Sequence, residues 1–388
     1  MAYNYVELGS LITPSKTVRC GDGDYPVLSM TMHNGLVFQD EKFKKVIASK
    51  DTSDYKVVYR NQLVISFPID EGVLAAQRIT DAGIVSPAYG IWDIDQSKIL
   101  PEFLEYALRC DRAIQYYKAK LRGSTARRRT LPTPTLLAFK VPLPCLEEQE
   151  KVIDRIHRAQ SVKEKRNEQI NKLDDLIKAR FVEMFGDMLI NPKGLAEQRL
   201  DTLADIVSGI TKGRKVKTNE LYKVPYMAVS NVKDGYIDWT TVKTIMATAA
   251  EIDQYRLMPG DVLMTEGGDP DKLGRGAIIH EPPKDCIHQN HIFRVRLKQD
   301  ILLSTYMAQY LQHQKAKRYF LGCAKQTTGI ASINMRQLSA LPVLVPSMKE
   351  QEEYAAFVAQ VDKSKAVIQK SLDETQLLFD SLMQKYFG

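Results

Sequence analysis

From Glu147 to Phe185 the chain runs without a proline or a glycine. Apolar residues Val152, Ile153, Ile156, Ala159, Val162, Ile170, Leu173, Ile177, Phe181 and Met184 return there at steps of three and four. That period is helical, and about 1.5 Å per residue makes the span about 58 Å long. Acidic residues crowd its first turn, where a helix dipole favours them. The last forty residues repeat the pattern more strictly. Tyr354, Val361, Ile368, Thr375 and Leu382 stand seven apart, and Val358, Leu372, Phe379 and Tyr386 follow a second seam. Seven-residue spacing is that of a coiled coil. Two seams of equal length satisfy each other best by pairing. The expected pair is antiparallel, with Ile156, Ile170, Leu173 and Ile177 on one helix and Val361, Ile368, Leu372 and Phe379 on the other.

The segments before the helices mix short strand-like runs with helical patches and Gly/Pro turns. Leu63–Phe67, Ile84–Ile94, Val262–Thr265 and Ile287–Leu297 read as strands, and Pro101–Leu121 and Leu302–Phe320 as helix. Each segment closes on a proline-flanked apolar run, "FKVPLP" at 139–144 and "LPVLVP" at 341–346, and then opens its helix. The two junctions are one phrase written twice. Glu148-Gln149 returns as Glu350-Gln351, and "MFG" at 184–186 returns as "YFG" at 386–388, each 202 residues on. "YKVVYRNQLVIS" from Tyr55 matches "YRLMPGDVLMTE" from Tyr255, and "ILPEFLEYAL" from Ile99 matches "ILLSTYMAQYL" from Ile301. A period near 200 is far longer than a solenoid unit, so a whole domain is duplicated. The expected architecture is α+β: globules at 1–144 and 187–346, and long helices at 145–186 and 347–388. An antiparallel helix pair of this kind holds its globules apart as a rigid spacer.

Composition narrows the class. At 388 residues, with 44% hydrophobic and 26% charged positions, the chain is an ordinary multidomain protein. No apolar run is long enough for a membrane span, and "MAYNYVELGS" lacks the basic and apolar regions of a secretory signal. Five scattered cysteines fit reduced thiols and a cytoplasmic protein. Basic residues outnumber acidic ones 19 to 15 over 1–146 and 21 to 16 over 186–348, while both helices lack a basic excess. The net charge of +7 thus belongs to the globules, a modest balance that is compatible with a polyanion partner without establishing one.

The order and duplication of these parts resemble the DNA-specificity subunits of type I restriction–modification systems. The resemblance covers essentially the whole chain. It is carried by "VPLPCLEEQEKVIDRI" and "VLVPSMKEQEEYAAFV", by the helix end "FVEMFGD", and by "MPGDVLMTEGGDPDKLGRGAII" in the second globule. The first copy, "YRNQLVISFPIDEGVLAAQRI", lacks the Gly-Asp and Gly-Gly of its counterpart. The resemblance implies two target-recognition domains, each reading one half of a split, asymmetric sequence in double-stranded DNA. It implies helices that set the unread spacer and dock two methyltransferase subunits, with restriction subunits joining the larger complex. S-adenosylmethionine is then expected on the methyltransferase, and no cofactor, metal or catalysis on this chain.

DNA readers need cations for phosphates and polar side chains for base edges. The densest cluster of the first globule is Lys118, Lys120, Arg122, Ser124, Thr125, Arg127, Arg128 and Arg129. Its counterpart 202 on is Lys325, Gln326, Thr327 and Thr328, preceded by Lys315, Lys317 and Arg318. One loop that is polar and basic in both copies is the leading candidate for contact. Lys212, Arg214, Lys215 and Lys217 form a second group, with Lys42, Lys44, Lys45, Ser230, Asn231 and Lys233 behind it. A charge run is more often plain surface, and Tyr116 and Tyr117 are expected to pack rather than stack on bases.

Tools for catalysis are not legible. The chain has no GxxxxGK[ST] phosphate loop and no Asn/Asp-Pro-Pro-aromatic motif, and "EPPKD" at 281–285 lacks the aromatic. Gly267-Gly268 and Gly274-x-Gly276 read as turns between strands. Cys286, His288 and His291, with His280 upstream, have the composition of a zinc site. On a strand, however, Cys286 and His288 share a face that His291 does not. His288, Gln289 and Asn290 are alternatively DNA-facing. Two other functions remain open: a stand-alone nuclease or methyltransferase with an unfamiliar site, and a coiled-coil scaffold that ignores nucleic acid.

Overall fold

The computed structural model describes residues 3–32, 34–42, 51–121, 131–215, 220–269, 273–327 and 330–388. The chain forms two compact units, Met1–Asn167 with Gln369–Gly388, and Glu168–Ile368. The long helices are Leu146–Phe185 and Met348–Phe387, so each unit holds one globule and part of both.

In the first unit the central sheet is antiparallel, in the order Ile12–Pro14, Gly90–Ile94, Leu63–Ile65, Leu74–Ala76. Two further antiparallel pairs accompany it, the hairpin Leu28–Thr31 with Gly35–Phe38, and Lys56–Tyr59 with Ala82–Val85. Tyr5–Glu7 pairs with Lys140–Pro142, the strand that leads into the long helix. Helices Pro101–Arg109 and Asp111–Lys120 cover the sheet and bury Phe103, Leu104, Ala107, Leu108 and Tyr117.

The second unit repeats this plan. Its sheet order is Ala204–Ser208, Ile292–Leu297, Val262–Thr265, Gly276–Ile278, again antiparallel. Ala196–Arg199 pairs with Pro342–Val345 ahead of the long helix. Helices Ser304–Gln312 and Gln314–Cys323 supply the buried Tyr306, Met307, Tyr310, Ala316 and Phe320. Two pieces have other partners here. Lys243–Ala247, Tyr222–Met227 and Ile287–His288 make one sheet, and Gly267–Gly268, Ile330–Ser332 and Lys325–Thr327 make another.

Four runs whose pattern predicts one continuous element are interrupted. The strand expected over Ile84–Ile94 is two strands, Ala82–Val85 and Gly90–Ile94, in different sheets. Pro87 falls between them and lacks the N–H a ladder needs. Ile287–Leu297 divides in the same way, at Gln289–His291. The helical patches break at Cys110 and at His313. Each of these residues turns extended, so that one side-chain pattern serves two short helices packed at an angle.

The long helices run antiparallel within both units. In the first, Arg155 donates to the Tyr386 hydroxyl and Lys163 Nζ lies 2.6 Å from Gln376 Oε1. In the second, Lys365 Nζ meets Asp174 Oδ1 at 2.6 Å. Tyr354, Val358, Val361, Lys365, Ile368, Leu372, Thr375, Phe379, Leu382 and Tyr386 are all shielded from solvent, and they alternate in steps of four and three. Val162 departs from its expected place at 42% exposed. The four-three seam of the first helix passes instead through Val152, Ile156, Ala159, Arg166, Ile170, Leu173 and Ile177.

Each globule's core is completed by the end of a long helix. Phe387 is fully buried in the first unit, its ring 5.0 Å from Phe103. Phe185 is fully buried in the second, 4.9 Å from Tyr306. The repeated "MFG/YFG" is therefore a core plug, and burying one such ring is worth about 2–3 kcal/mol. Among the described residues no helix is long and apolar enough to cross a membrane.

Candidate nucleic-acid interface

In both units the second covering helix delivers the basic segment that the sequence singles out. Lys118 and Lys120 sit exposed on the last turn of Asp111–Lys120, where cations also suit the helix dipole. Arg122, Ser124, Thr125, Arg127, Arg128 and Arg129 lie outside the described residues. In the second unit the helix Gln314–Cys323 leads straight into Lys325–Thr327, which pairs with Ile330–Ser332. The backbone of Gln326 faces Ala331 and that of Thr327 faces Ile330; Thr328 is outside the described residues.

The third strand of that small sheet is Gly267–Gly268, a strand rather than the turn its composition implies. A Cβ on Gly267 would stand 2.9 Å from Ala331 O, so glycine is what lets the two backbones meet. Lys325, Ser332 and Gly267 form one row across the three strands. Glu266, next in the chain, accepts a 2.5 Å hydrogen bond from His291 Nδ1. Lys325 and His291 are exposed; the row carries a cation and a hydroxyl, and Glu266 holds the imidazole next to its glycine strand. In the sequence His291 is weighed only within a metal-like cluster that strand geometry disfavours, and Glu266 carries no signal. The two are 25 residues apart and only strand pairing joins them.

The second basic group divides. Lys212 and Lys215 are exposed, and Lys217 is outside the described residues. Arg214 is not available as an open cation. It makes two short hydrogen bonds to the Glu251 carboxylate and a third, at 3.2 Å, to Met246 O. That guanidinium holds the Glu251 carboxyl down to about 2. Lys315 is likewise engaged, 2.7 Å from Glu197, while Arg318 is exposed. Asn231 is fully buried and spends its amide on Ala228 N, Asp238 O and Thr241 Oγ1, so it does not face outward. Ser230 beside it is exposed and Lys233 half-buried. Lys42 ends the short helix Gln39–Lys42, and Lys44 and Lys45 are outside the described residues. Tyr117 is buried, with its hydroxyl on Leu108 O, and Tyr116 donates to Thr135 O.

The metal-like residues go to three different environments. Cys286 is buried and its thiol is pushed up to about 12 by desolvation. His288 is fully buried, so it does not face DNA; burial brings its imidazole down to about 4. Its Nδ1 lies 3.1 Å from Tyr255 O and its Nε2 3.3 Å from Val207 O. A neutral ring donates from one nitrogen at a time, and the Tyr255 contact is the shorter. His291 bonds Glu266, and His280 is exposed. Among the described residues no three His, Cys, Asp or Glu side chains gather as a metal would need.

Residues 192–376 match the family of the type I restriction modification DNA specificity domain. A specificity subunit of a putative type I restriction enzyme from Methanocaldococcus jannaschii is 27% identical over 187 residues, which is 48% of this chain and 44% of that protein. The chain thus spans less than half the length of the curated relative it matches. A solved structure described under complex assembly and conformational transition of the type I R-M system overlays with a TM-score of 0.60 at 18% identity, covering 99% of this chain and 97% of that one. The type I S subunit from M. genitalium overlays at 0.53 with 14% identity, covering 100% and 96%. At these identities the two overlays speak for a shared fold.

Proposed function

We propose that this chain, whose residues 192–376 match the type I restriction modification DNA specificity domain, is a specificity subunit that selects the DNA sequence on which a methyltransferase acts. Each globule reads one half of a split, asymmetric target, and the paired helices set the unread spacer. The observation that carries this reading is the recurrence of one frame. Two units of the same sheet order each present exposed lysines at or just beyond the end of the second covering helix, beside long helices with no basic excess. Phosphate contact by lysine supplies affinity and register, and the polar side chains nearby supply base choice.

Lys118 and Lys120 in the first unit, and Lys325 with Gln326 and Thr327 in the second, are the leading contacts. Lys212 and Lys215 support them. The outer faces of the long helices suit docking of methyltransferase subunits, because Val367 is 71% and Leu377 69% exposed there. S-adenosylmethionine belongs on those subunits, and restriction subunits complete the assembly.

The deciding experiment maps methylation in cells that express the cognate methyltransferase subunit with and without this chain. A split motif that appears only with the chain is the expected result, and exchanging residues 1–144 changes one half of it. Turnover of DNA by the purified chain alone supports the stand-alone enzyme. No motif, together with no salt-sensitive DNA binding, supports a scaffold.

A further inference from the structure

Gln149 and Gln351 occupy the same place in the two copies, and both side chains are fully buried. They make the same three bonds, all to main chain. Gln149 Nε2 donates to Lys98 O and to Pro144 O, each at 2.9 Å, and its Oε1 accepts from Leu100 N at 2.8 Å. Gln351 Nε2 donates to Ile301 O and Pro346 O, each at 3.0 Å, and its Oε1 accepts from Leu303 N at 2.8 Å. Leu100 and Leu303 are the residues from which the first covering helix of each globule starts. One neutral side chain therefore ties the first turn of a long helix to the proline before it and to the start of a globule helix.

Capping is a separate task. In the second helix Ser347 and Glu350 exchange hydrogen bonds as a capping box, which leaves Gln351 free for the globule. In the first helix Cys145 stands where the serine does, yet Gln149 keeps all three bonds. A glutamate would lack both donors, and an apolar residue would leave two carbonyls and an amide unpaired.

We infer that Gln149 and Gln351 are the positioning residues that fix the direction in which each long helix leaves its own globule, and so set the sharpness of spacer reading. This rests on the reading of the chain as a split-target selector. A 40-residue helix is about 60 Å long, so about 5° of play at its base moves its far end by about 5 Å. One base pair is about 3.4 Å along the duplex. Loss of the clamp is therefore enough to blur the count by a pair.

The test uses the full chain assembled with its methyltransferase subunits, on DNA with cognate half-sites and spacers from two pairs shorter to two pairs longer. Q149M and Q351M keep side-chain length and remove the bonds. The expected result is an about tenfold loss of preference for the cognate spacer over its neighbours, with both half-site sequences still required. A variant that methylates with the unaltered spacer preference overturns the inference. Should the variants fail to fold, hydrogen exchange on the unaltered complex decides. Leu100 and Leu303 amides are expected to be as protected as central-strand amides, and loop-like exchange overturns the clamp. If the unaltered complex marks no split motif, the functional reading itself fails and takes this inference with it.

Discussion

The two units share a skeleton and differ in what fills it. The four-stranded order, the closing strand pair, the two covering helices and the buried glutamine recur with a shift near 202. The packing is not copied. Around its helix plug the second unit assembles Phe181, Phe185, Tyr306 and Tyr354 with ring centroids 4.9–5.6 Å apart. Tyr306 and Tyr310 donate to Leu344 O and Pro342 O, each at 2.7 Å. The first unit has Phe103 and Tyr106 against Phe387 instead, and Val152 where the second has Tyr354. Bonds to main chain persist because they define the path of the backbone. Apolar fill can change as long as volume is conserved.

The largest test of this parallel is to remove the plugs. F185A and F387A each delete a fully buried ring and are expected to cost about 3–5 kcal/mol. Hydrogen exchange resolves where the loss falls. F387A is expected to deprotect strands Gly90–Ile94 and Leu63–Ile65, and F185A strands Ile292–Leu297 and Val262–Thr265. Equal loss over all four strands from either change would mean that the units unfold as one.

Acid separates the units next. His288 is buried with its imidazole lowered to about 4, so its contribution is full above the unfolded value near 6.5 and is lost as pH falls towards 4. A drop of that size corresponds to up to about 3 kcal/mol of acid sensitivity. His157 in the first unit is half exposed and faces Glu102, with no comparable burial. The second unit is therefore expected to lose exchange protection first between pH 6.5 and 4, and H288Q to flatten that slope. Equal acid slopes in the two units sink this assignment.

Much of the skeleton was legible because it is periodic. Proline- and glycine-free helices with a heptad seam announce themselves, and duplication doubled the signal at "EEQ" and "MFG/YFG". The candidate interface was legible only as composition. Lys118, Lys120 and Lys325 could be picked as members of a polar, basic segment that recurs in both copies, although no lysine faces a lysine in the repeat. That Arg214 is held by Glu251 could not, because the two are 37 residues apart in the chain. Asn231 and His288 looked like polar surface residues, and both are buried with main-chain partners. Spacing within a strand cannot say which polar side chain the next strand will satisfy.

The Arg214–Glu251 pair gives a smaller effect, peculiar to the second unit. R214M is expected to cost about 1 kcal/mol at neutral pH. Because the carboxyl is depressed to about 2, the pair's contribution is present above the unfolded value near 4.5 and disappears as pH falls through about 2. Unfolding curves of R214M and the unaltered chain should therefore converge in acid. A gap that stays constant down to pH 2 would assign the cost to packing rather than charge.

The smallest expected effect on stability belongs to the outer faces of the helices. Val367 falls in the second unit and Leu377 in the first, and neither contributes to the four-three seam. Aspartate at either place removes no buried contact, so V367D and L377D should shift stability by less than about 0.5 kcal/mol. Seam positions behave differently: V361D forces a charge into a site only 6% exposed and should destabilise the second unit by several kcal/mol. That contrast separates the seam positions, which hold the fold, from exposed apolar positions proposed for docking. Co-purification with the methyltransferase subunit is the measurement. Retention that falls with V367D and L377D at unchanged stability places docking on the outer row, and full retention moves docking elsewhere on the chain.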